Sequence, residues 1–163
     1  MIVLARMDDL QKIDTLAVKV IEDMAASNIP QWTLSYPRKE HYAKDIDHQG
    51  LYILKNYDKI VGVITILPEN DPPYRTITGW LTNKSIVIHR VLTHPDYRGQ
   101  GIAQQLFDFA VEFAIRNDYL SIKIDTHLEN YKMRRFLEKN GYLEIGYLEC
   151  IDRQAYEKVL EDL

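Results

Sequence analysis

The sequence predicts an α/β fold, read as one domain over residues 1–163. Segments with helical spacing of apolar residues alternate with β-rich runs, two glycines stand where a strand hands over to a helix, and no repeat, low-complexity tract or linker interrupts the chain. A chain of 163 residues is long enough for one sizeable core. Its 46% hydrophobic and 27% charged residues exclude disorder, collagen-like repeats and coiled coil.

The elements follow in order. Ile2 to Arg6 reads as a short strand, and Asp8 or Asp9 caps a helix whose apolar positions Leu10, Ile13, Leu16, Ala17, Val20, Ile21 and Met24 fall on one face. That helix stops near Ser27-Asn28, ahead of Pro30. The aromatic segment 31–37 is irregular, and Arg38 to Asp45 is a short second helix. Leu51 to Lys55 and Ile60 to Leu67 form a hairpin around Asn56-Tyr57-Asp58-Lys59, and Pro68 to Lys84 is a loop. Ser85 to Thr93 is a strand, Arg98-Gly99-Gln100-Gly101 opens a helix with Ile102, Leu106, Phe109, Ala110, Phe113 and Ala114 facing inward, and Leu120 to Thr126 alternates as a half-buried strand. Asn130 caps a helix to about Lys139, with Gly141 at the left-handed position beyond its end. Tyr142 to Ile151 is a strand, while Arg153 to Leu160 suits strand or helix.

Charge narrows the partners. Lys and Arg number 20 against 24 Asp and Glu, a formal net charge of −4, which disfavours nucleic acid or anionic lipid as the main partner. Cys150 is the only cysteine, so no intrachain disulfide or cysteine-based zinc site can form, and a reducing cytoplasm is expected. The histidines and carboxylates show no convincing metal spacing, so no metal is expected. No signal peptide and no run of about 18 apolar residues is seen, so no membrane association is expected.

The glycine turn 98–103 is an anion cradle by construction. N–H groups at a helix start point outward, and small residues let an anion approach the backbone. A P-loop is excluded because no Lys-Ser or Lys-Thr follows Gly101, and the dinucleotide fingerprint fails at Gln104. Glycines that merely form a tight turn are the plain alternative.

The stretch 88–103, with Arg98, Gly101 and Ala103 at its key positions, resembles the acetyl-CoA-binding motif of the GNAT N-acetyltransferase superfamily. A second family motif is similar to Ile124-Asp125-Thr126-His127 with Asn130 and the run 136–142. The resemblance covers about residues 85–145. It implies a mixed, mostly antiparallel twisted sheet of six or seven strands flanked by helices and splayed between the fourth and fifth strands.

It also implies roles. The backbone of Arg98, Gly99, Gln100, Gly101, Ile102 and Ala103 would hold the pyrophosphate of acetyl-CoA, and the strand edge Val91, Leu92, Thr93 would pair with its pantetheine amides. The Val91 N–H would polarise the acetyl carbonyl. Asn130 would contact pantetheine or simply cap its helix; Lys132 and Arg135 would reach the nucleotide phosphates or are simply a solvated helix face, with Met133 beside them. A substrate amine, mostly protonated near neutral pH, needs a base; His89 is the positional candidate, with His127 and Asp125 as rivals and a hydrogen-bonded core histidine as the plain alternative. Asp125 could instead orient Arg90 or His127. Leu137 stands where the family commonly has a tyrosine general acid.

Trp32, Tyr36, Tyr74 and Trp80 fall in the two loops that wall the acceptor cleft of this fold, where aromatics either grip substrate or cap the core. Asp45, Asp47 and Glu69 are possible amine-attracting carboxylates. The expected activity is direct acetyl transfer from acetyl-CoA to a primary amine of a small molecule, amino acid or peptide. The alternative is an acyl-CoA-binding protein of the same fold with lost or altered catalysis. A homodimer is possible through the C-terminal strands; a nucleic-acid-binding domain is the weakest reading.

Overall fold

The computed structural model of the chain describes residues 1–161. In chain order the elements are β1 (Ile2–Leu4), α1 (Leu10–Ala26), α2 (Lys39–Asp47), β2 (Leu51–Asn56), β3 (Lys59–Pro68), β4 (Ser85–Thr93), α3 (Ile102–Arg116), β5 (Ser121–Thr126), α4 (Tyr131–Lys139), β6 (Leu143–Leu148) and β7 (Arg153–Val159). One mixed sheet runs β1-β2-β3-β4-β5-β7-β6. The β1/β2, β2/β3, β5/β7 and β6/β7 pairs are antiparallel, and β4/β5 is parallel. The β4–β5 ladder joins only Ser85, Ile86 and Val87 to Ser121, Ile122 and Lys123, well short of the end of β4 at Thr93. This early stop is the splay expected between the fourth and fifth strands.

Two compact units share these elements. The first comprises Met1–Leu67 with Ile88–Ala110. Its core sets Ile13, Leu16, Ala17 and Val20 of α1 and Tyr42 and Ile46 of α2 on Leu51, Ile53, Val63 and Leu92. The four α1 residues are among the helical-spacing positions of the sequence, so periodicity alone placed that face of α1. Gly62 admits the first turns of α3: a Cβ there would lie 2.8 Å from Ile102 and 3.1 Å from Leu106. Phe107, absent from the expected inward face of α3, is buried, while Phe109 is half-buried with its ring 4.9 Å from Tyr52.

The second unit comprises Pro68–Val87 and the chain from Val111. Strand β5 turns Ser121, Lys123 and Asp125 to one face and Ile122 and Ile124 to the other, as its alternation predicts. Yet the polar face is not solvated: Ser121 and Lys123 are buried, because the segment 68–84 lies over them. Tyr74, Val87, Leu148 and Ala155 form this unit's small core, with Ile77 and Trp80 packed on it. The ambiguous segment 153–160 contains a strand because β7 pairs on both sides, with β5 and with β6. Asn130 caps α4 by accepting from the Met133 N–H at 3.2 Å, and Gly141 takes φ +84 just past the helix. The second helix runs two residues beyond Asp45, to Asp47.

Candidate functional site

The chain reaches the glycine turn through a capped corner. His94 Nδ1 accepts the Asp96 N–H at 3.1 Å, closing the short 3-10 turn Pro95–Tyr97, and Arg98 leaves it extended at φ −58°, ψ 145°. Gly99 and Gly101 then both take φ +74°, a region that strongly favours glycine. A Cβ at either would meet nothing within 4 Å. Backbone conformation and open approach, not packing, therefore require glycine at both. The Gly101 carbonyl accepts from Gln105 N at 3.0 Å, so the N–H groups of Ile102 and Ala103 precede the first donor bonded within α3 and lie at its positive dipole end. Gln100 is exposed, Ala103 half-buried and Ile102 packed inward. The Arg98 guanidinium pairs with Asp23 of α1, so its charge is largely matched within the protein. A cradle built this way, backbone amides at a helix start with open space above them, suits a phosphate-type anion.

Strand β4 kinks just before the turn. Arg90 sits at φ +49°, left-handed for a residue with a Cβ. Its Nε and Nη2 donate to the two Asp45 oxygens at 2.6 Å each, and Nη1 donates to the Tyr36 hydroxyl at 3.1 Å. Asp45 also accepts from Thr65 Oγ1 at 2.9 Å. Burial works against the Arg90 charge, and Asp45 and Tyr36 more than offset it, holding the guanidinium above its ordinary pKa. Next to it, His89 is half-buried; burial first, then the Arg90 cation, depress its imidazole to about 4, with Asp45 acting the other way. With its pKa held near 4, His89 stays neutral down through the range below pH 6.5 in which an ordinary histidine takes up a proton. Val91 and Thr93 are half-buried and Leu92 is fully buried. Beyond the kink, His94 N donates to the Val61 carbonyl at 2.9 Å, pinning the end of the strand to β3.

The aromatic candidates differ in exposure. Tyr36 is 40% exposed, with its ring 4.5 Å from that of His41, and Trp32 is half-buried against the core of the first unit. Tyr74 is buried, and its hydroxyl donates to Asp125 Oδ2 at 2.6 Å. Trp80 stacks on Tyr74 at 5.0 Å and donates Nε1 to the Tyr74 carbonyl at 2.7 Å; the Lys123 ammonium lies 4.5 Å above the Trp80 ring. Asp125 thus meets Tyr74, while the partner of Arg90 is Asp45.

Of the remaining candidates, His127 accepts the Glu129 N–H through Nδ1 at 3.1 Å and has Nε2 3.4 Å from Asp152. Lys132 and Arg135 are exposed on α4 and Met133 is half-buried. Leu137 is fully buried. Between the last two stands Arg134, which joins Tyr156, Glu144 and the Leu128 carbonyl. Glu157, fully buried, accepts from the N–H groups of Leu81 and Thr82 and from the Thr82 and Ser121 hydroxyls, at 2.5–3.2 Å. No motif in the sequence marks Glu157 or Thr65. A carboxylate amid Ala155, Tyr156 and Val159 on an alternating strand is the one available signal for Glu157.

The sequence pattern of the Acetyltransferase (GNAT) family matches residues 19–142. The chain belongs to that family of acyltransferases. It is similar to a GNAT-family acetyltransferase from Streptococcus agalactiae 2603, with a TM-score of 0.89, 23% identity, and coverage of 99% of this chain and 96% of the other. It is 28% identical over 48% of its length to N-acetyltransferase 8F1 of Rattus norvegicus, covering 33% of that protein. It is 24% identical over 61% of its length to N-acetyltransferase family 8 member 2 of the same species, covering 41% of it. The chain thus spans about a third to two fifths of these curated relatives. Among the described residues, no helix is long and apolar enough to cross a membrane, and no cluster of three or more His, Cys, Asp or Glu side chains is placed to hold a metal.

Proposed function

We propose that this chain is an acetyl-CoA-dependent N-acetyltransferase, one domain over residues 1–163, acting in the cytoplasm on a primary amine of a small molecule, amino acid or peptide. The observation that carries the proposal is the glycine turn: two left-handed glycines with open space above them, at the start of α3 and directly after a kinked strand end. Acetyl-CoA supplies the activated acyl thioester. The amides of residues 98–103 would hold its pyrophosphate, Val91 to Thr93 would pair with its amide arm, and Asn130, Lys132, Met133 and Arg135 would flank it. The Val91 N–H would donate to the acetyl oxygen as negative charge builds there.

Tyr36 and Trp32 are the better placed aromatics for an acceptor, since Tyr36 is exposed and held by Arg90. Tyr74 and Trp80, packed on each other, would supply aromatic surface to the same acceptor. His89 would meet the amine as a neutral hydrogen-bond partner, because a group with a pKa of about 4 cannot retain the amine's proton near pH 7. That proton would leave to water. His127 and Asp125, each already engaged, would orient their loop and Tyr74. A homodimer through β6 and β7 fits the exposed Leu143 and Val159.

A second reading, acyl-CoA binding with altered catalysis, rests on Leu137, whose buried side chain supplies no proton for the departing thiolate. Water can serve, because a thiol with a pKa near 8.5 leaves readily. CoA release from acetyl-CoA with a panel of primary amines decides between the two. Turnover abolished by Gly101→Glu supports the enzyme, and tight acetyl-CoA binding without turnover on any amine supports the second reading. Absence of thermal stabilisation by CoA would sink both.

A further inference from the structure

We infer that Asp45, on α2, is a positioning residue for the acyl-transfer step: by clamping Arg90 it fixes the kink in β4 that aims the Val91 N–H. The inference rests on the acetyltransferase reading above for the role of Val91. A residue with a Cβ at φ +49° is strained and persists where its surroundings over-determine it. Here the surroundings are explicit. Both Asp45 oxygens receive Arg90 at 2.6 Å in a two-point pair, whose planar fork fixes direction as well as distance. Asp45 is itself 2% exposed and held by Thr65 of β3, so the clamp is anchored to the sheet. The strand is pinned again past the kink by His94 N on the Val61 carbonyl. Val91, the residue after Arg90, lies between these two anchors. A surface ion pair would need none of this burial, and a carboxylate placed to attract an amine would not have both oxygens occupied by an arginine.

The clamp also reaches the acceptor side. The third hydrogen bond of Arg90 goes to the hydroxyl of Tyr36, the exposed aromatic of the segment 31–37. Contact of an acceptor with Tyr36 is thereby tied to the residue that sets the Val91 amide.

The test uses Asp45→Asn, which keeps size and removes the charge, and the double variant Asp45→Asn/Arg90→Gln, which also removes the orphaned cation. Backbone chemical shifts of Arg90 in the free proteins report the kink, and steady-state kinetics report the step. In D45N the Arg90 shifts should move from left-handed towards extended values, and kcat should fall by the order of 100-fold, comparable to loss of an oxyanion donor, with KM for acetyl-CoA nearly unchanged. The double variant should regain melting temperature without regaining kcat, which a purely structural role would not produce. Left-handed Arg90 shifts in D45N, or a lost kink with kcat intact, would overturn the inference. A wild-type protein that binds acetyl-CoA but acetylates no amine would count against the functional reading alone, while the shifts still decide whether Asp45 holds the kink.

Discussion

Asp45 in the first unit and Glu157 in the second are both buried carboxylates, and the protein stabilises them in opposite ways. Asp45 is matched by one full charge, the Arg90 guanidinium, with a threonine hydroxyl in support. Glu157 is surrounded by neutral donors: two backbone N–H groups and two hydroxyls. Its cross-strand neighbour Lys123 instead sets its ammonium over the Trp80 ring. A charge pair fixes one side chain relative to another and so can hold a single residue in a strained conformation. A ring of neutral donors drawn from Leu81, Thr82 and Ser121 ties a whole segment to a strand. The first arrangement sits beside the expected reaction centre, and the second staples residues 81–82 onto β5 and β7.

The largest expected effect separates the two modes of stabilisation. Asp45→Ala strands a buried cation and should destabilise the protein by about 3–5 kcal/mol in urea unfolding, with adding Arg90→Met recovering at least half. Glu157→Ala leaves several donors unmet at about 1–3 kcal/mol for each buried group, and no single second substitution should repair it. Equal rescue in both places would erase the contrast.

The burial of His89, next to the Arg90 cation, has its own consequence. Its folded pKa, about 4, lies below the ordinary value near 6.5, so the unfolded chain takes up the proton first. The stability this contributes is complete above about pH 6.5 and is lost as pH falls towards 4; His89→Gln should remove that slope from the melting temperature between pH 7 and pH 4.5. By the same logic kcat/KM should climb about tenfold per pH unit towards the pKa of the amine, without a plateau near 6.5. A break in the profile near 6.5 that vanishes in His89→Gln would instead make His89 an ordinary general base.

The smallest effect concerns Tyr42, fully buried in the same unit, whose hydroxyl has no hydrogen-bond partner among the described residues and whose pKa burial raises. Tyr42→Phe removes a polar atom that nothing satisfies and should be neutral or stabilising by up to about 1 kcal/mol in the same unfolding assay. A clear loss of stability would mean that this hydroxyl is a working part of the Arg90 cluster.

Local chemistry wrote much of this fold legibly into the chain. The apolar face of α1, the hairpin of β2 and β3, the Asn130 cap, the stop at Gly141 and the glycine turn each depend on residues within a few positions of one another. The hairpin turn is tighter than the four residues expected, with Tyr57 at φ +56° between Asn56 and Lys59. The candidate site was legible where it is backbone, at residues 98–103, and poorly legible where it depends on side-chain partners. Arg90 lies 45 positions from Asp45, and Tyr74 lies 51 from Asp125, so no periodicity or spacing links them.

The sequence by itself determined the class of fold, the anion-binding turn and the family resemblance, because short-range backbone preferences and apolar periodicity act before any long-range contact forms. Only the tertiary structure decided that 153–159 is a strand, that the polar face of β5 is covered, that the His89 pKa is lowered and that Arg90 is left-handed. Each of these follows from burial or from a partner far away in the chain, and both exist only once the sheet has assembled.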